Sequence, residues 1–204
     1  MAATQVPPLI YTWIREQWSQ FHCMFSDDPD SKHYKGVALI FRKSSFWKVT
    51  RIQWPAGNPC ATFSKDGRLI ASQAFFGNGG SSIVVYHLYA PSGSRWEEHK
   101  KRLLHQMLDA IQGDCVIRGQ LPYFIMGDFN MPIAESTRLT AILQNQTIYD
   151  VRQVAAAENL NVPTCHVGPS QGSCIDHIFV SGSLIDNMFN FEVKKTNVFK
   201  DHSV

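Results

Sequence analysis

The sequence predicts a layered α/β sandwich with a mixed sheet. Three observations carry this. Short strands rich in aromatic and β-branched residues follow one another up to Tyr89. Two stretches with helical periodicity interrupt them, one at residues 9–21 and one after Ser94. Further strand runs then end abruptly in polar residues, most clearly Tyr123-Phe-Ile-Met-Gly-Asp-Phe-Asn130. The 204 residues suit one α/β domain. They contain no internal repeat, low-complexity tract or linker, so residues 1–204 read as a single domain.

Taken in order, residues 9–21 place Ile10, Trp13, Ile14, Trp18 and Phe21 on one helical face, with Pro7 and Pro8 suited to the first turn. Ser26-Asp-Asp-Pro-Asp-Ser-Lys32 reads as a polar loop. Residues 36–42 form a mostly apolar strand, and residues 46–54 alternate as a second strand. Asp66-Gly67 signals a hairpin joining residues 61–63 to residues 68–76. Gly77-Asn-Gly-Gly-Ser-Ser82 signals another turn, leading into a strand over residues 83–89. After Ala90-Pro-Ser-Gly93, the Ser94-x-x-Glu97 spacing of a capping box opens a helix. Its apolar face is Trp96, Leu103, Leu104, Met107, Leu108 and Ile111, with Gly113 as its stop. The strand into Asp128 follows, then a helix over residues 135–143, and finally a strand over residues 174–181 with Asp176 near its start.

Hydrophobic residues make up 44% of the chain and charged ones 18%, a globular composition. The net charge of +2 provides no global basic field, so nucleic-acid binding would have to come from a local patch. Five widely spaced cysteines read as reduced thiols of an intracellular protein, and their spacing to His166 and His177 matches no zinc template. Neither a signal peptide nor a transmembrane span is visible, which predicts no membrane association and does not choose between nucleus and cytoplasm.

Polar groups stand at or just beyond strand ends: Tyr89, the Asp128/Asn130 pair, Asp176 and the Asp201-His202 pair. Such positions gather ligand and catalytic groups in layered α/β proteins. A carboxylate can orient or deprotonate water, an amide can bind phosphate, a histidine can act as general acid or base, and another carboxylate can hold a divalent metal. Each also has an ordinary reading. Asp128-x-Asn130 is a common turn, Tyr89 suits a core tyrosine, and Asp201-His202 suits a solvated tail.

In this order, Leu88-Tyr-Ala-Pro-Ser92, Gly127-Asp-Phe-Asn130, Ile175-Asp-His-Ile178 and Asp201-His-Ser-Val204 resemble the endonuclease/exonuclease/phosphatase superfamily. They are most similar to the apurinic-endonuclease-like domain of non-LTR retrotransposons. The resemblance covers residues 1–204. It implies a four-layer sandwich of deoxyribonuclease-I type, with mainly antiparallel mixed sheets flanked by helices, and a metal-dependent phosphodiester hydrolase, a DNA endonuclease above all. It further implies that His202 is the catalytic acid/base and that Asp128 orients the attacking water. Asn130 and Tyr89 would contact the scissile phosphate, Asp176 would buttress His202, and Asp201 would contribute to a Mg²⁺ or Mn²⁺ site. Trp96, Lys100 and Arg102 would lie near a DNA backbone, and a reverse transcriptase would share the polyprotein.

The sequence departs from that family at its start. The family's early strands are missing, and Ala3 stands where a Gln-Glu-Thr element would place the metal-binding glutamate. The chain is therefore expected to be incomplete at both ends, with impaired metal binding. A weak or inactive remnant, or a phosphatase acting on lipid or small-molecule phosphates, is the alternative. His87 stands where the retrotransposon type has asparagine, and is read as a core or surface residue.

Overall fold

The computed structural model of the chain describes residues 16–26, 37–77, 80–93, 95, 97–119, 121–155, 163–165 and 172–188. The fold is mixed α/β, a mostly antiparallel β-sheet flanked by helices, as the sequence predicts. The residues divide into two compact units, Met1–Tyr89 with Asp109–Leu121, and Ala90–Leu108 with Pro122–Val204.

In the first unit, β1 (Phe21–Phe25) pairs antiparallel with β2 (Ala38–Arg42). The strands β3 (Lys48–Arg51), β4 (Leu69–Phe76) and β5 (Ser81–Tyr89) form an antiparallel run. Phe21 opens β1 rather than closing a helix. Only Glu16 and Gln17 of the predicted first helix are described as helical, a turn follows, and residues 9–15 lie outside the described residues. The five-residue Phe21-His-Cys-Met-Phe25 run is too short for periodicity to separate strand from helix.

The predicted hairpin at Asp66-Gly67 is corrected. Residues 59–65 form helix α1 (Pro59–Lys65), capped by Asn58, whose side chain accepts from the Cys60 amide at 2.8 Å. Gly67, at φ +67°, ends the helix in a Schellman arrangement. Arg68 N–H donates to Phe63 O at 2.9 Å, and Gly67 N–H donates to Ser64 O at 3.2 Å. A left-handed glycine serves hairpin and helix stop alike, which is why the dipeptide misleads.

Helix α2 (Glu98–Ile117) carries the predicted apolar face, with Leu104, Met107, Leu108 and Ile111 buried. It runs through Gly113 and stops before Gly119, at φ +71°. Continuing past Gly113 buries Asp114, which accepts from the Tyr86 hydroxyl at 2.7 Å and from Arg118 Nε at 2.6 Å. Those bonds compensate for a glycine in the helix interior. Ser94 and Trp96, the cap and first apolar residue of the predicted box, lie outside the described residues.

The second unit contains the antiparallel strands β6 (Tyr123–Asp128), β7 (Ile148–Asp150) and β8 (Asp176–Ser181), in the spatial order β6-β8-β7. The helix predicted at residues 135–143 is two pieces, a 3₁₀ turn (Ile133–Glu135) and α3 (Thr137–Gln144). Ser136 separates them and caps α3 by accepting from the Leu139 amide at 3.2 Å. A short α4 (Val151–Ala155) follows β7, and a 3₁₀ segment (Gly182–Asn187) follows β8. Phe129, Met131, Leu139, Ile142, Phe179 and Val180 are buried in this unit. Among the described residues no helix is long and apolar enough to cross a membrane.

Candidate active site

The polar residues at the end of β6 and the start of β8 form one cluster in the second unit, the candidate site. The β6–β8 ladder runs from Phe124 opposite Val180 to Asp128 opposite Asp176. Residues directly opposite in an antiparallel pair project to one face, with Cβ atoms roughly 4.5–5.5 Å apart. Two carboxylates therefore share one face at the end of the ladder, Asp128 buried and Asp176 half-buried. Phe129 N–H donates to Ile175 O at 2.8 Å and holds the two chains together just past the pair.

Beyond Asp128 the chain turns sharply. Asn130 N–H donates to Asp128 Oδ1 at 2.8 Å, closing an Asx turn, and Asn130 has φ +50°. Its side-chain Nδ2 donates to Ala90 O at 3.0 Å, and Ala90 N–H donates to Asp128 O at 2.8 Å. β6 ends at Asp128, so Asn130 does not continue the strand's alternation of faces. The pair is nonetheless joined, through a turn. Left-handed backbone at a non-glycine residue is uncommon, asparagine tolerates it best, and such positions concentrate at functional sites.

Asp176 is held from outside the ladder. The Thr164 hydroxyl accepts from the Ile175 amide at 3.1 Å and from the Asp176 amide at 3.0 Å. Arg152 is buried, and its Nη2 donates to Asp176 O at 3.4 Å. Opposed carboxylates repel. Arg152 is itself placed by Asp150, whose Oδ1 accepts from the Arg152 amide at 3.0 Å. Burial raises the Asp150 pKa, and the Arg152 amide and charge pull it back down.

His177 follows Asp176 and is also buried. Its Nε2 lies 3.1 Å from Met131 O, so Nε2 carries the proton and donates. The ring stacks on Phe179 at 5.6 Å and meets Phe129 edge-on at 5.3 Å. Burial, and secondarily the Arg152 charge, push its pKa down to about 4, against the opposing pull of the Met131 carbonyl and Asp176.

The structure thus joins Asp128, Asn130 and Asp176. Tyr89 closes β5 in the first unit, where its amide donates to Arg68 O at 2.9 Å and the Arg68 guanidinium lies 5.9 Å from its ring centroid. His202 and Asp201 lie outside the described residues, as does Trp96. Lys100 pairs with Glu97 at 2.5 Å, and Arg102 is exposed on α2. His87 is a buried tether, its Nδ1 bonded to Ala38 O at 2.7 Å. Sequence reasoning assigned no role to Thr164, Arg152 or His177. Only the tertiary pairing of segments far apart in the chain reveals them.

The hard oxygen donors of Asp128 and Asp176 suit Mg²⁺ in type. Among the described residues, however, no group of three or more His, Cys, Asp or Glu side chains could hold a metal ion. The described residues therefore do not by themselves complete a metal site.

Residues 4–187 match the family model described as the endonuclease/exonuclease/phosphatase family. The chain belongs to the endonuclease/exonuclease/phosphatase family. No curated protein matches it in sequence. Solved structures do match in fold. One is the 3′ phosphatase NExo from Neisseria bound to a product DNA hairpin, at 16% identity and TM-score 0.67, covering 98% of this chain and 81% of that one. Another is the Xenopus laevis APE2 catalytic domain, at 15% identity and TM-score 0.62, covering 82% and 68%. A third is D. rerio TDP2 complexed with single-strand DNA product, at 13% identity and TM-score 0.62, covering 98% and 81%. At these identities the likeness is one of fold.

Proposed function

We propose that this chain is a phosphodiester hydrolase acting on DNA. The observation that carries the reading is the face-to-face placement of Asp128 and Asp176 at the end of the β6–β8 ladder, with the left-handed Asn130 turn beside them. Family membership and fold neighbours that hold product DNA support the substrate class.

In this reading Asp128 orients the attacking water. The Asx turn fixes its carboxylate, since Oδ1 already accepts from the Asn130 amide. Asn130 contacts the scissile phosphate. Its Nδ2 spends one N–H on Ala90 O and keeps a second for an oxyanion. Tyr89 is assigned a phosphate contact, His202 the general acid/base role, and Asp176 the hydrogen bond that orients His202. A divalent cation, Mg²⁺ or Mn²⁺, is assigned to Asp201, and when bound it offsets negative charge on the phosphate. The motif series favours an endonuclease of retrotransposon type, a kind that works beside a reverse transcriptase.

A second reading, removal of a 3′ phosphate from DNA, is favoured by the Neisseria neighbour, a 3′ phosphatase. The test is one panel of substrates with Mg²⁺: plasmid DNA, an abasic duplex, a 3′-phosphorylated oligonucleotide, RNA and a phosphoinositide. Cleavage of plasmid or abasic duplex supports the endonuclease. Release of phosphate from the oligonucleotide alone supports the phosphatase. Turnover of phosphoinositide alone, or of nothing, overturns the DNA assignment.

A further inference from the structure

We infer that His177 is a positioning residue for the Asp128–Asn130 turn, acting through the Met131 carbonyl. The inference rests on the hydrolase reading for its activity arm and on geometry for the rest. His177 stands opposite Gly127 in the ladder, so its backbone is paired to the residue before Asp128. Its side chain reaches past the turn and donates Nε2–H to Met131 O, the residue after Asn130. One side chain thus closes a bracket around Gly127, Asp128, Phe129 and Asn130, the segment in which Gly127 has φ +143° and Asn130 has φ +50°. Left-handed backbone persists only where its surroundings over-determine it.

The ring cannot easily swing away. Phe129 and Phe179 contact it, and 3% of the residue is exposed. The tautomer is set by the bond it makes. Because a carbonyl only accepts, the proton resides on Nε2 and Nδ1 is a bare acceptor. Nδ1 is buried and, among the described residues, has no hydrogen-bond partner. A protonated ring would carry an N–H there without an acceptor, so the neutral form is the one that fits. A neutral Nε2–H donor is what the tether requires. An apolar ring of the same shape would keep the packing and lose the tether. Glutamine places an amide donor near the Nε2 position, whereas asparagine places one near Nδ1.

The experiment compares His177→Phe, His177→Gln and His177→Asn with the wild-type chain. Two readouts are used: Mg²⁺-dependent cleavage of the DNA substrate and hydrogen exchange at the Asn130 amide. Positioning predicts that His177→Phe loses roughly 10²-fold in kcat with KM changed less than about twofold, and that His177→Gln recovers most of the loss. The Asn130 amide, bonded to Asp128 Oδ1, should exchange about tenfold faster in His177→Phe and near the wild-type rate in His177→Gln. Should His177→Phe fail to fold, the comparison of glutamine with asparagine decides, with recovery expected only for glutamine. Equal kcat and equal exchange in a folded His177→Phe, or a glutamine variant no better than asparagine, overturns the inference. If the wild-type chain cleaves nothing, the hydrolase reading fails, and the exchange rates alone judge the tether.

Discussion

Asp128 and Asp176 lie directly opposite one another across the β6–β8 ladder. Asn130 and Ala90 hold Asp128 from one side, and Thr164 and Arg152 hold Asp176 from the other. Like charges opposite one another in a sheet are destabilising. Asp176→Asn should therefore stabilise the fold by a few tenths of a kcal/mol up to about 1 kcal/mol while lowering hydrolysis. Urea titration beside an activity assay checks both signs. A loss of stability would show that the repulsion is already fully compensated.

Thr164 makes two bonds to backbone amides at the entry to β8, and Thr164→Val removes both while keeping the shape. Two half-buried N–H groups would be left without this acceptor, a loss of roughly 1–2 kcal/mol. Thr164→Ser should retain most of the stability. Thermal melting followed by circular dichroism separates the two variants.

Stability should fall on acidification through His177. Its folded pKa is about 4 because the ring is buried, against 6.5 for an unperturbed histidine. Above pH 6.5 the ring is neutral in both states and contributes no pH dependence. Between 6.5 and about 4 the unfolded chain binds the extra proton, so stability declines as pH falls, by a total of roughly 3 kcal/mol. Below about 4 both states are protonated and this contribution levels off. His177→Gln should flatten that interval. Urea midpoints measured from pH 7 to pH 4 test it, and an unchanged slope in the variant would assign the effect elsewhere.

Two glycines should respond to alanine with opposite signs. Gly113 lies inside α2, and an added Cβ there meets nothing within 4 Å, so Gly113→Ala should stabilise by roughly 0.5–1 kcal/mol. Gly67 holds φ +67° in the stop of α1, so Gly67→Ala should destabilise by about 1–2 kcal/mol. Chemical denaturation of the two variants side by side provides the check.

Much of the site's scaffold was legible because local patterns encode it. Tyr123–Asp128 is an apolar run stopped by a glycine and an acid, and residues 174–181 read as a strand with an acid near its start, so both strands and both carboxylates can be placed. Asp128-x-Asn130 was readable as turn or site, and the structure shows that it is a turn at the end of the strand, so the two readings were never exclusive. What stayed hidden depends on distance along the chain. The pairing of Asp128 with Asp176, the reach of Thr164 to Asp176 and the bond from His177 to Met131 are set by packing, which no local period records. Pro59–Lys65 was misread because Asp66-Gly67 suits a hairpin as well as a helix stop, and the Asn58-Pro59 start was the discriminating signal.

The central claim is that the Asp128/Asp176 pair hydrolyses a DNA phosphate ester. The most direct measurement is single-turnover cleavage of the DNA panel with Mg²⁺ by the wild-type chain and by Asp128→Asn, with melting curves confirming that both are folded. The account predicts turnover by the wild-type chain and a loss of roughly 10²–10⁴-fold in Asp128→Asn at equal or greater stability. A folded wild-type chain that turns over no DNA substrate, or an Asp128→Asn variant that matches it, would contradict the account.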